Sequence, residues 1–324
     1  AGLAAAVTAA HHGLRVVLAE KAARLGGTSA WSGGWLWIPR NPLARAAGIE
    51  EAPQAALDYL RAEIGNRAAD PRIGVFLENG PRMVGFFARH TAVAWTGGNR
   101  IPDFHDSPGR AVGGRSVAAQ PYDGRGLGPW LHRLRPPLDV VSLRGMGIGS
   151  GADMAHFFNA TRSLRSAAHV ARRLARHGRD LALHGRGTQL VNGNALVARL
   201  LRSALDLGVT VLPGVPVTAL LADGERVSGA RLRAGGAEHA VHAARGVVLA
   251  TGGFPHDRAR IAALFEHAPG GDGHHSAAPP ENTGDGLRLA EAAGGRVAGD
   301  LAAAGAWAPV SLVPRPGGGV ARFP

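Results

Sequence analysis

The residues whose types and spacing could do chemistry lie near the start of the chain. A short apolar run, residues 15–19, leads to the acid Glu20, and Gly2 lies 18 residues before it. This is close to the spacing of about 20 expected for a ribose acid. In a dinucleotide-binding site, a carboxylate at a strand tip accepts hydrogen bonds from ribose hydroxyls, and a helix N-terminus faces the pyrophosphate. This half-motif alone fits an ordinary helix and strand of an α/β protein equally well.

The turn that follows Glu20 and Lys21 favours a dinucleotide site. It concentrates glycines and hydroxyl side chains, namely Gly26, Gly27, Thr28, Ser29, Ser32, Gly33 and Gly34. Such backbone can approach a cofactor closely and offer N–H groups to a phosphate or to a flavin edge. A glycine turn by itself is usually only a turn. Its position directly after a candidate ribose acid makes a cofactor role the better interpretation.

The elements that must position these residues form an α/β pattern. Small apolar residues predict a helix that ends at Gly13, and residues 15–20 predict a buried parallel strand. Further helices are predicted at 53–65, 71–90, 152–178 and 194–207, and strands at 209–212, 215–221, 227–232 and 246–253, with a hairpin turn at Asp223–Gly224. Residues 97–151 predict a long Gly/Pro-rich loop of the kind that covers a site, and residues 267–280 a linker.

Composition excludes several classes of function. The net charge of +12 comes from arginines spread along the chain, so we expect no nucleic-acid partner. Without cysteine, the chain has no disulfide, thiolate metal site or Cys nucleophile. We also expect no metal, because His274–His275 has no further ligands nearby and fits a solvated linker. No apolar run is long enough for a membrane span and no basic leader precedes the first helix, which predicts a cytoplasmic protein.

Six motifs together carry a resemblance to a known family over nearly all 324 residues. They are GLAAAVTAAHHGLRVVLAEK (2–21), GGTSAWSGGWLWIP (26–39), FLENGPRMVGFFARH (76–90), GRGTQLVNGNALVARLL (185–201), RGVVLATGGFPHD (245–257) and ENTGDGLRLAEAAGG (281–295). In this order they resemble the FAD-dependent flavoproteins of the fumarate reductase/succinate dehydrogenase class, particularly the 3-oxosteroid 1-dehydrogenase-like branch.

The resemblance implies an α/β fold with a Rossmann-like FAD-binding domain. That domain would span residues 1–254, with a long helical insertion at about 40–180, and residues 255–324 would begin a substrate-capping domain. The first strand of the motif is not in the sequence, so we expect the chain to be a fragment. Residues 13–89 contain no histidine for covalent attachment, so the resemblance implies non-covalently bound FAD.

The resemblance also implies roles for individual residues around the cofactor. Gly2 and Glu20 would serve the pyrophosphate and the adenosine ribose, and the residues of the 26–34 turn would line the flavin side. The backbone of Val217 would meet adenine. Further contacts would come from Lys21, Ala250, Thr251, Gly252 and Asp285. For Asp285, capping of a helix at 286–293 is the alternative role.

The chemistry implied by the resemblance is hydride transfer between FAD and a C–C bond next to a carbonyl, with a tyrosine-type base taking the proton. This sequence has Phe104 at one such tyrosine position, and phenylalanine cannot transfer a proton. His105, Tyr122 and His184 are the substitute candidates, with plain loop polarity as the other interpretation.

The implied substrate is small and apolar, with a steroid as one candidate; the electron acceptor is not identified. Three tryptophans could line an apolar cavity or simply pack in the core, namely Trp31, Trp35 and Trp37. The alternative functions are a fumarate- or enoate-type reductase and a non-catalytic FAD-binding fragment.

Overall fold

The computed structural model describes residues 1–301, 304–305 and 308–324. Its α-helices are α1 (Gly2–His11), α2 (Pro42–Ala46), α3 (Pro53–Glu63), α4 (Arg72–His90), α5 (Ala152–Phe158), α6 (Leu164–His184), α7 (Asn192–Asp206), α8 (Arg258–Leu264) and α9 (Asp285–Ala292). Its strands are β1 (Val17–Glu20), β2 (Trp35–Trp37), β3 (Trp95–Gly98), β4 (Ser116–Ala119), β5 (Tyr122–Asp123), β6 (Ser142–Leu143), β7 (Met146–Gly147), β8 (Gln189–Leu190), β9 (Thr210–Pro213), β10 (Val217–Asp223), β11 (Arg226–Ala234), β12 (Ala237–His242), β13 (Ser311–Pro314) and β14 (Val320–Phe323). Within the described ranges, no helix is both long enough and apolar enough to cross a membrane.

The chain divides into two compact units, each built from separate stretches of sequence. Unit 1 contains Ala1–Trp31, Leu127–Arg144 and Leu201–Pro324. Unit 2 contains Ser32–Gly126 and Gly145–Leu200. Every contact described below lies inside one of these units.

Unit 1 is organised around a parallel strand pair. Strand β1 pairs with β9 in parallel, from Val17 opposite Thr210 to Glu20 opposite Pro213. Helix α1, whose small side chains allow close packing, buries Ala6 and Val7. The predicted strand at 15–20 is confirmed as a four-residue strand that ends at Glu20. The prediction that this strand is buried was wrong, because Val17 is 48% exposed.

Unit 1 also holds two antiparallel sheets. Strands β10, β11 and β12 form one, and β13 and β14 form the other. The hairpin predicted at Asp223–Gly224 is confirmed, and Gly224 there adopts φ 58°, a left-handed conformation that glycine tolerates best.

The buried strand predicted at 246–253 does not form. These residues have no regular secondary structure, and Val248 is 71% exposed. The apolar run is real, but a strand is stable only when its N–H and C=O groups are paired with a neighbour. Among the residues that the structure describes, no strand pairs with this segment.

Unit 2 contains a three-stranded antiparallel sheet in the order β2-β4-β3. Its core includes Val84 and Phe87 of α4 with Trp95 and Val117 of the sheet, all buried. Helix α2 is capped by Asn41, a fully buried residue whose side-chain oxygen accepts hydrogen bonds from two amides of the first turn. The helices predicted at 53–65 and 71–90 are confirmed as α3 and α4.

Two sequence predictions in this part of the chain were wrong. Residues 97–151 are not a structureless loop, because they contain β4 and β5 and are fastened by the buried Arg115, which donates to Asp103 at 2.5 Å. The single helix predicted at 152–178 is two helices, α5 and α6. Helix α6 starts separately because the Ser163 side chain accepts from the amide of Ser166 and caps it.

Candidate functional site

Glu20 lies at the carboxyl end of β1, the position where parallel sheets bind ligands. Its backbone carbonyl accepts from the amide of Val215 at 2.8 Å, which fixes the strand end. Its Oε1 accepts from the amide of Ala22 at 2.8 Å, and Oε2 has no hydrogen-bond partner among the described residues. Burial raises the pKa of Glu20, against the lowering effects of the Ala22 amide and the Arg135 charge. One carboxylate oxygen is therefore held in place and the other is available as an acceptor.

Lys21 is tied to the start of α9. Its Nζ donates to Thr283 Oγ1 at 2.7 Å and to Asp285 Oδ2 at 2.5 Å, and Arg288 forms a second ion pair with Asp285. Burial alone would raise the pKa of Asp285, but the bonds from Lys21 and Thr283 and the charges of Lys21 and Arg288 lower it. The capping role of Asp285 was wrong, since Gly284 is the N-cap and Asp285 is the first residue of α9.

Asn282 joins two segments that the sequence assigned to the cofactor. Its Nδ2 donates to Thr28 Oγ1 in the glycine turn at 2.9 Å. On Gly252, which adopts φ +79°, an added Cβ would lie 3.2 Å from the Asn282 amide group. The backbone carbonyl of Asn282 accepts from the amide of His256 at 3.1 Å. Asn282 was missed as a site residue, although it lies inside the ENTGDG motif that drew attention to Asp285.

The first turn of α1 packs closely against the 250–252 segment. A Cβ added to Gly2 would lie 3.5 Å from the Ala250 Cβ, an ordinary contact distance. A Cβ added to Gly286 of α9 would lie 2.2 Å from Thr251 Oγ1, so only glycine fits there. The first turn of α1 has neither an acidic residue nor a side-chain cap, and its N–H groups are suited to an anion.

The remaining predicted cofactor residues of unit 1 lie in the glycine turn and at the start of β10. Gly26 and Gly27 have φ +122° and +51°, and Ser29 lies in the 3₁₀ turn Gly27–Trp31. Val217 is the first residue of β10 and pairs with Leu232 of β11.

Arg135 and Glu281 are charged residues of this site that sequence reasoning missed. Arg135 Nη2 lies 3.0 Å from Glu281 Oε2, and its guanidinium lies over the Trp31 ring at 5.1 Å. Trp31 Nε1 donates to the carbonyl of Pro136 at 3.0 Å. These contacts give Trp31 a packing role, and no sequence motif marks Arg135.

Ser32, Gly33 and Gly34 belong to unit 2, where they support the backbone of residues 192–193. Gly34 adopts φ +75°, and a Cβ there would lie 2.5 Å from the Gly193 amide nitrogen. The carbonyl of Ser32 accepts from that amide at 3.1 Å, and the hydroxyl of Ser32 accepts from Gly34. A Cβ added to Gly33 would meet only the Trp35 side chain, at 3.6 Å.

Among the catalytic candidates, His105 has a defined carboxylate partner. Its Nδ1 is hydrogen-bonded to Glu63, which also accepts from the hydroxyl of Ser107. These bonds, first that of Ser107 and then that of His105, lower the pKa of Glu63. The imidazole is 69% exposed and Phe104 beside it is 96% exposed. A carboxylate that holds one ring nitrogen leaves the other free for proton transfer.

The other aromatic and histidine candidates have structural contacts. Tyr122 packs under Arg199, 5.3 Å from its ring centroid, and His184 is the last residue of α6. Trp37 stacks on Phe76 and donates to Asp103 at 2.7 Å, whereas Trp35 is 37% exposed.

The histidines near the predicted linker lie beside aromatic rings. Within the described ranges, no group of three or more His, Cys, Asp or Glu could hold a metal ion. His274 is not a solvated linker residue, because its ring stacks on Phe265 at 4.9 Å between centroids. Burial lowers the pKa of His274, and the nearby His267 lowers it further.

A parallel strand pair that ends at an acid, in one unit with a helix that begins at a glycine and has no side-chain cap, is the arrangement of an α/β dinucleotide-binding protein. The comparison with known families agrees with this class. Residues 1–323 match the family described as FAD binding domain. The chain belongs to this FAD-binding family.

Curated relatives place the chain near two kinds of dehydrogenase. It is 35% identical to the 4-oxocyclohex-2-ene-1-carboxylate 5-dehydrogenase of Sinomonas cyclohexanicum, over 96% of this chain and 52% of the relative. It is 33% identical to the 3-oxosteroid 1-dehydrogenase of Mycobacterium tuberculosis, over 98% of this chain and 56% of the relative. The chain thus spans about half the length of the curated relatives it matches.

A solved structure gives the same result. The 3-ketosteroid Δ1-dehydrogenase of Sterolibacterium denitrificans, in complex with 1,4-androstadiene-3,17-dione, superposes with a TM-score of 0.83 at 30% identity. The match covers 99% of this chain and 57% of that one. The sequence-based resemblance to the 3-oxosteroid dehydrogenase-like branch is confirmed.

Proposed function

We propose that unit 1 binds FAD non-covalently through the residues gathered around Glu20. The observation that carries this proposal is the free Oε2 of Glu20 at the end of β1. A carboxylate at this place accepts hydrogen bonds from ribose hydroxyls, and the uncapped first turn of α1 suits a pyrophosphate. The contact of Asn282 with both Thr28 and Gly252 holds the glycine turn beside the 250–252 segment.

The reaction we propose is dehydrogenation of a C–C bond next to a carbonyl. The names of the relatives support it, because each describes a dehydrogenase of a cyclic oxo compound. Bound FAD supplies a hydride acceptor. The protein must then place the substrate and take up the proton from the adjacent carbon. The same names favour dehydrogenation over a fumarate- or enoate-type reduction.

His105 is the proton-transfer group that the structure favours among the three candidates. Glu63 holds Nδ1 and orients the ring, so that Nε2 can accept a proton. Ser107 in turn fixes the second carboxylate oxygen of Glu63. Tyr122 lies under the guanidinium of Arg199, and His184 is the last residue of α6.

The substrate we propose is a cyclic ketone, which is apolar if it is a steroid. A 3-oxosteroid and a smaller cyclic oxo acid are both consistent with the relatives, which act on one or the other by name. The division into a cofactor domain at 1–254 and a capping domain from 255 stays a prediction. The cytoplasmic location also stays a prediction, and the electron acceptor is not identified.

Anaerobic mixing of the flavin-loaded protein with each ketone tests the proposed reaction. We expect loss of the visible flavin absorbance with a 3-oxosteroid or with 4-oxocyclohexenecarboxylate, and no loss with the corresponding alcohols. Absorbance that is unchanged by every ketone, in a protein that does contain FAD, would contradict the proposed reaction but not the cofactor site. A protein that takes up no FAD would contradict both.

A further inference from the structure

The last turns of α6 carry an arginine-rich cavity that the proposed cofactor and substrate roles do not use. Its volume is about 520 Å³, and its walls are formed by Asp123, Arg125, Arg172, Ala175, Arg176 and Arg179, all in unit 2. We call it the arginine pocket. Residues four and seven positions apart on a helix share one face, so Arg172, Arg176 and Arg179 point to the same side of α6.

The one acid in the wall is already neutralised by one of the arginines. Arg125 holds Asp123 in a bidentate pair, with Nε at 2.9 Å from Oδ1 and Nη2 at 2.5 Å from Oδ2. The hydrogen bond from Arg125 keeps the pKa of Asp123 below its ordinary value, so the carboxylate stays charged at neutral pH. The charges of Arg125 and Asp123 cancel each other. The net charge of the pocket wall therefore comes from Arg172, Arg176 and Arg179.

These three guanidinium groups have little compensation from the protein. Arg176 and Arg179 each approach a carboxylate only to 4.0 Å, at Asp123 and Asp180 respectively. Asp180 accepts two hydrogen bonds from the neutral Thr188 and keeps its charge, so it offsets about one of the three helix arginines. Among the described residues Arg172 has no ion pair, and the Nε of Arg176 is shielded from solvent without a hydrogen-bond partner.

Three like charges at helical spacing repel one another, so a purely structural role would disfavour this cluster. Guanidinium groups in a concave surface are well matched to phosphate oxygens, which accept two parallel hydrogen bonds from one arginine. We propose that the arginine pocket binds a small anion with two or more phosphoryl groups. An anion of this class balances the positive charge that Asp180 leaves on the three arginines, whereas a single carboxylate leaves part of it uncompensated.

The surroundings of the pocket favour a small free anion over a lipid headgroup or a nucleic acid. The exposed Leu174 and Leu181 lie two positions from Arg172 and Arg179, about 200° around the helix, and face the other side. Leu183, which is 68% exposed, lies four positions after Arg179 and shares the arginine side, but no leucine lines the pocket itself. The pocket wall therefore offers little apolar surface for an acyl chain. None of the residues lining the pocket is aromatic, so there is no platform on which a base could stack.

Calorimetric titration of the purified protein with inorganic pyrophosphate tests the proposal. We expect saturable binding of one pyrophosphate per chain at physiological ionic strength. Arg172→Gln with Arg176→Gln should weaken binding by about tenfold or more, because each charged hydrogen bond carries much of the affinity. Arg165→Gln removes an exposed arginine of the same helix that does not line the pocket, and it should leave the affinity within about twofold.

The outcomes separate the proposal from its rivals. Absence of saturation, or equal weakening by Arg165→Gln and the double variant, would overturn a defined site. A second arm uses vesicles containing phosphatidylglycerol. Vesicle binding that depends on Arg172 and Arg176, without pyrophosphate binding, would assign the pocket to a lipid headgroup and contradict the proposal. Equal melting temperatures of the variants show that lost binding is not lost folding. The titration uses FAD-saturated protein, so that the proposed pyrophosphate contact at the first turn of α1 is already occupied. In protein that takes up no FAD, the loss of binding in the Arg172 and Arg176 variant still assigns the binding to the arginine pocket, so the two proposals can fail separately.

Discussion

Replacing Glu20 by leucine tests the ribose contact on which the cofactor proposal rests. The carboxylate is held at Oε1 by the Ala22 amide at 2.8 Å, which leaves Oε2 to accept from the ribose. A hydrogen bond to a charged group is worth about 1.5–3 kcal/mol net. Loss of the hydrogen bond between Oε2 and the ribose therefore corresponds to about 2–3 kcal/mol of binding free energy. This is roughly a 30- to 150-fold increase in the Kd for FAD.

Equilibrium titration of the flavin-free protein with FAD, followed by flavin fluorescence, measures this change. Glu20→Gln keeps the size and one acceptor oxygen, so it should weaken FAD by only about tenfold. Glu225→Gln changes an exposed glutamate in the turn between β10 and β11 and should have no effect. Leucine and wild-type proteins with the same Kd would refute the placement of the ribose at Glu20.

The pH dependence of FAD binding provides a second readout of the same residue. Burial raises the pKa of Glu20, so the carboxylate becomes protonated at a higher pH than an ordinary glutamate does. FAD affinity should fall as the pH drops through this raised pKa, and Glu20→Gln should abolish that fall. In the flavin-free protein, folding stability changes with pH in the opposite direction to FAD affinity. The folded state binds the proton more tightly, so stability decreases as the pH rises from the ordinary pKa to the raised one.

Three further predictions concern other residues. Asp285→Asn should destabilise the protein by about 1–2 kcal/mol, because it breaks the half-buried pair with Lys21, whereas Asp272→Asn in an exposed pair should cost less than about 0.5 kcal/mol. Since the pKa of Asp285 is lowered, this stabilisation is present above the ordinary aspartate pKa and is lost as the pH falls through the lowered pKa. Thermal melts at several pH values measure it, and equal destabilisation by Asp285→Asn and Asp272→Asn would contradict the prediction. Gly34→Ala should lower the free energy of unfolding by more than about 2 kcal/mol, because its Cβ would lie 2.5 Å from the Gly193 amide nitrogen. Gly48→Ala, at a similar φ but in open space, should lower it by only about 1 kcal/mol. Equal losses for the two variants in denaturant unfolding would contradict the close approach. His105→Gln should lower kcat by about a hundredfold or more with little change in KM, and adding Phe104→Tyr should restore part of it; steady-state turnover unaffected by His105→Gln would exclude the imidazole as the proton acceptor.

The parts of the fold that the sequence predicted are those with a local signal. Helices α3 and α4 and the β10–β11 hairpin follow from apolar spacing and from the Asp223–Gly224 turn. The strand tip at Glu20 was predicted because an acid ends an apolar run. The strand predicted at 246–253 was wrong for a non-local reason, because an apolar run forms a strand only when another strand pairs with it.

The candidate site was predictable to a similar extent. Glycines and the acid are marked by their spacing, whereas Arg135 and Glu281 are not, because their pairing joins positions far apart in the chain. The partnership of His105 with Glu63 also links two distant segments, so the sequence placed His105 only among several loop candidates. Periodicity describes one element at a time, and side-chain pairs between elements need the fold.

The central claim is that FAD lies against the first turn of α1, the 26–29 turn and the 250–252 segment of unit 1. Hydrogen exchange of the backbone amides, measured by mass spectrometry with and without saturating FAD, tests it most directly. We expect slower exchange in peptides covering residues 2–5, 26–29 and 250–252, and unchanged exchange in α6. Saturable FAD binding that leaves all three segments unprotected would contradict it.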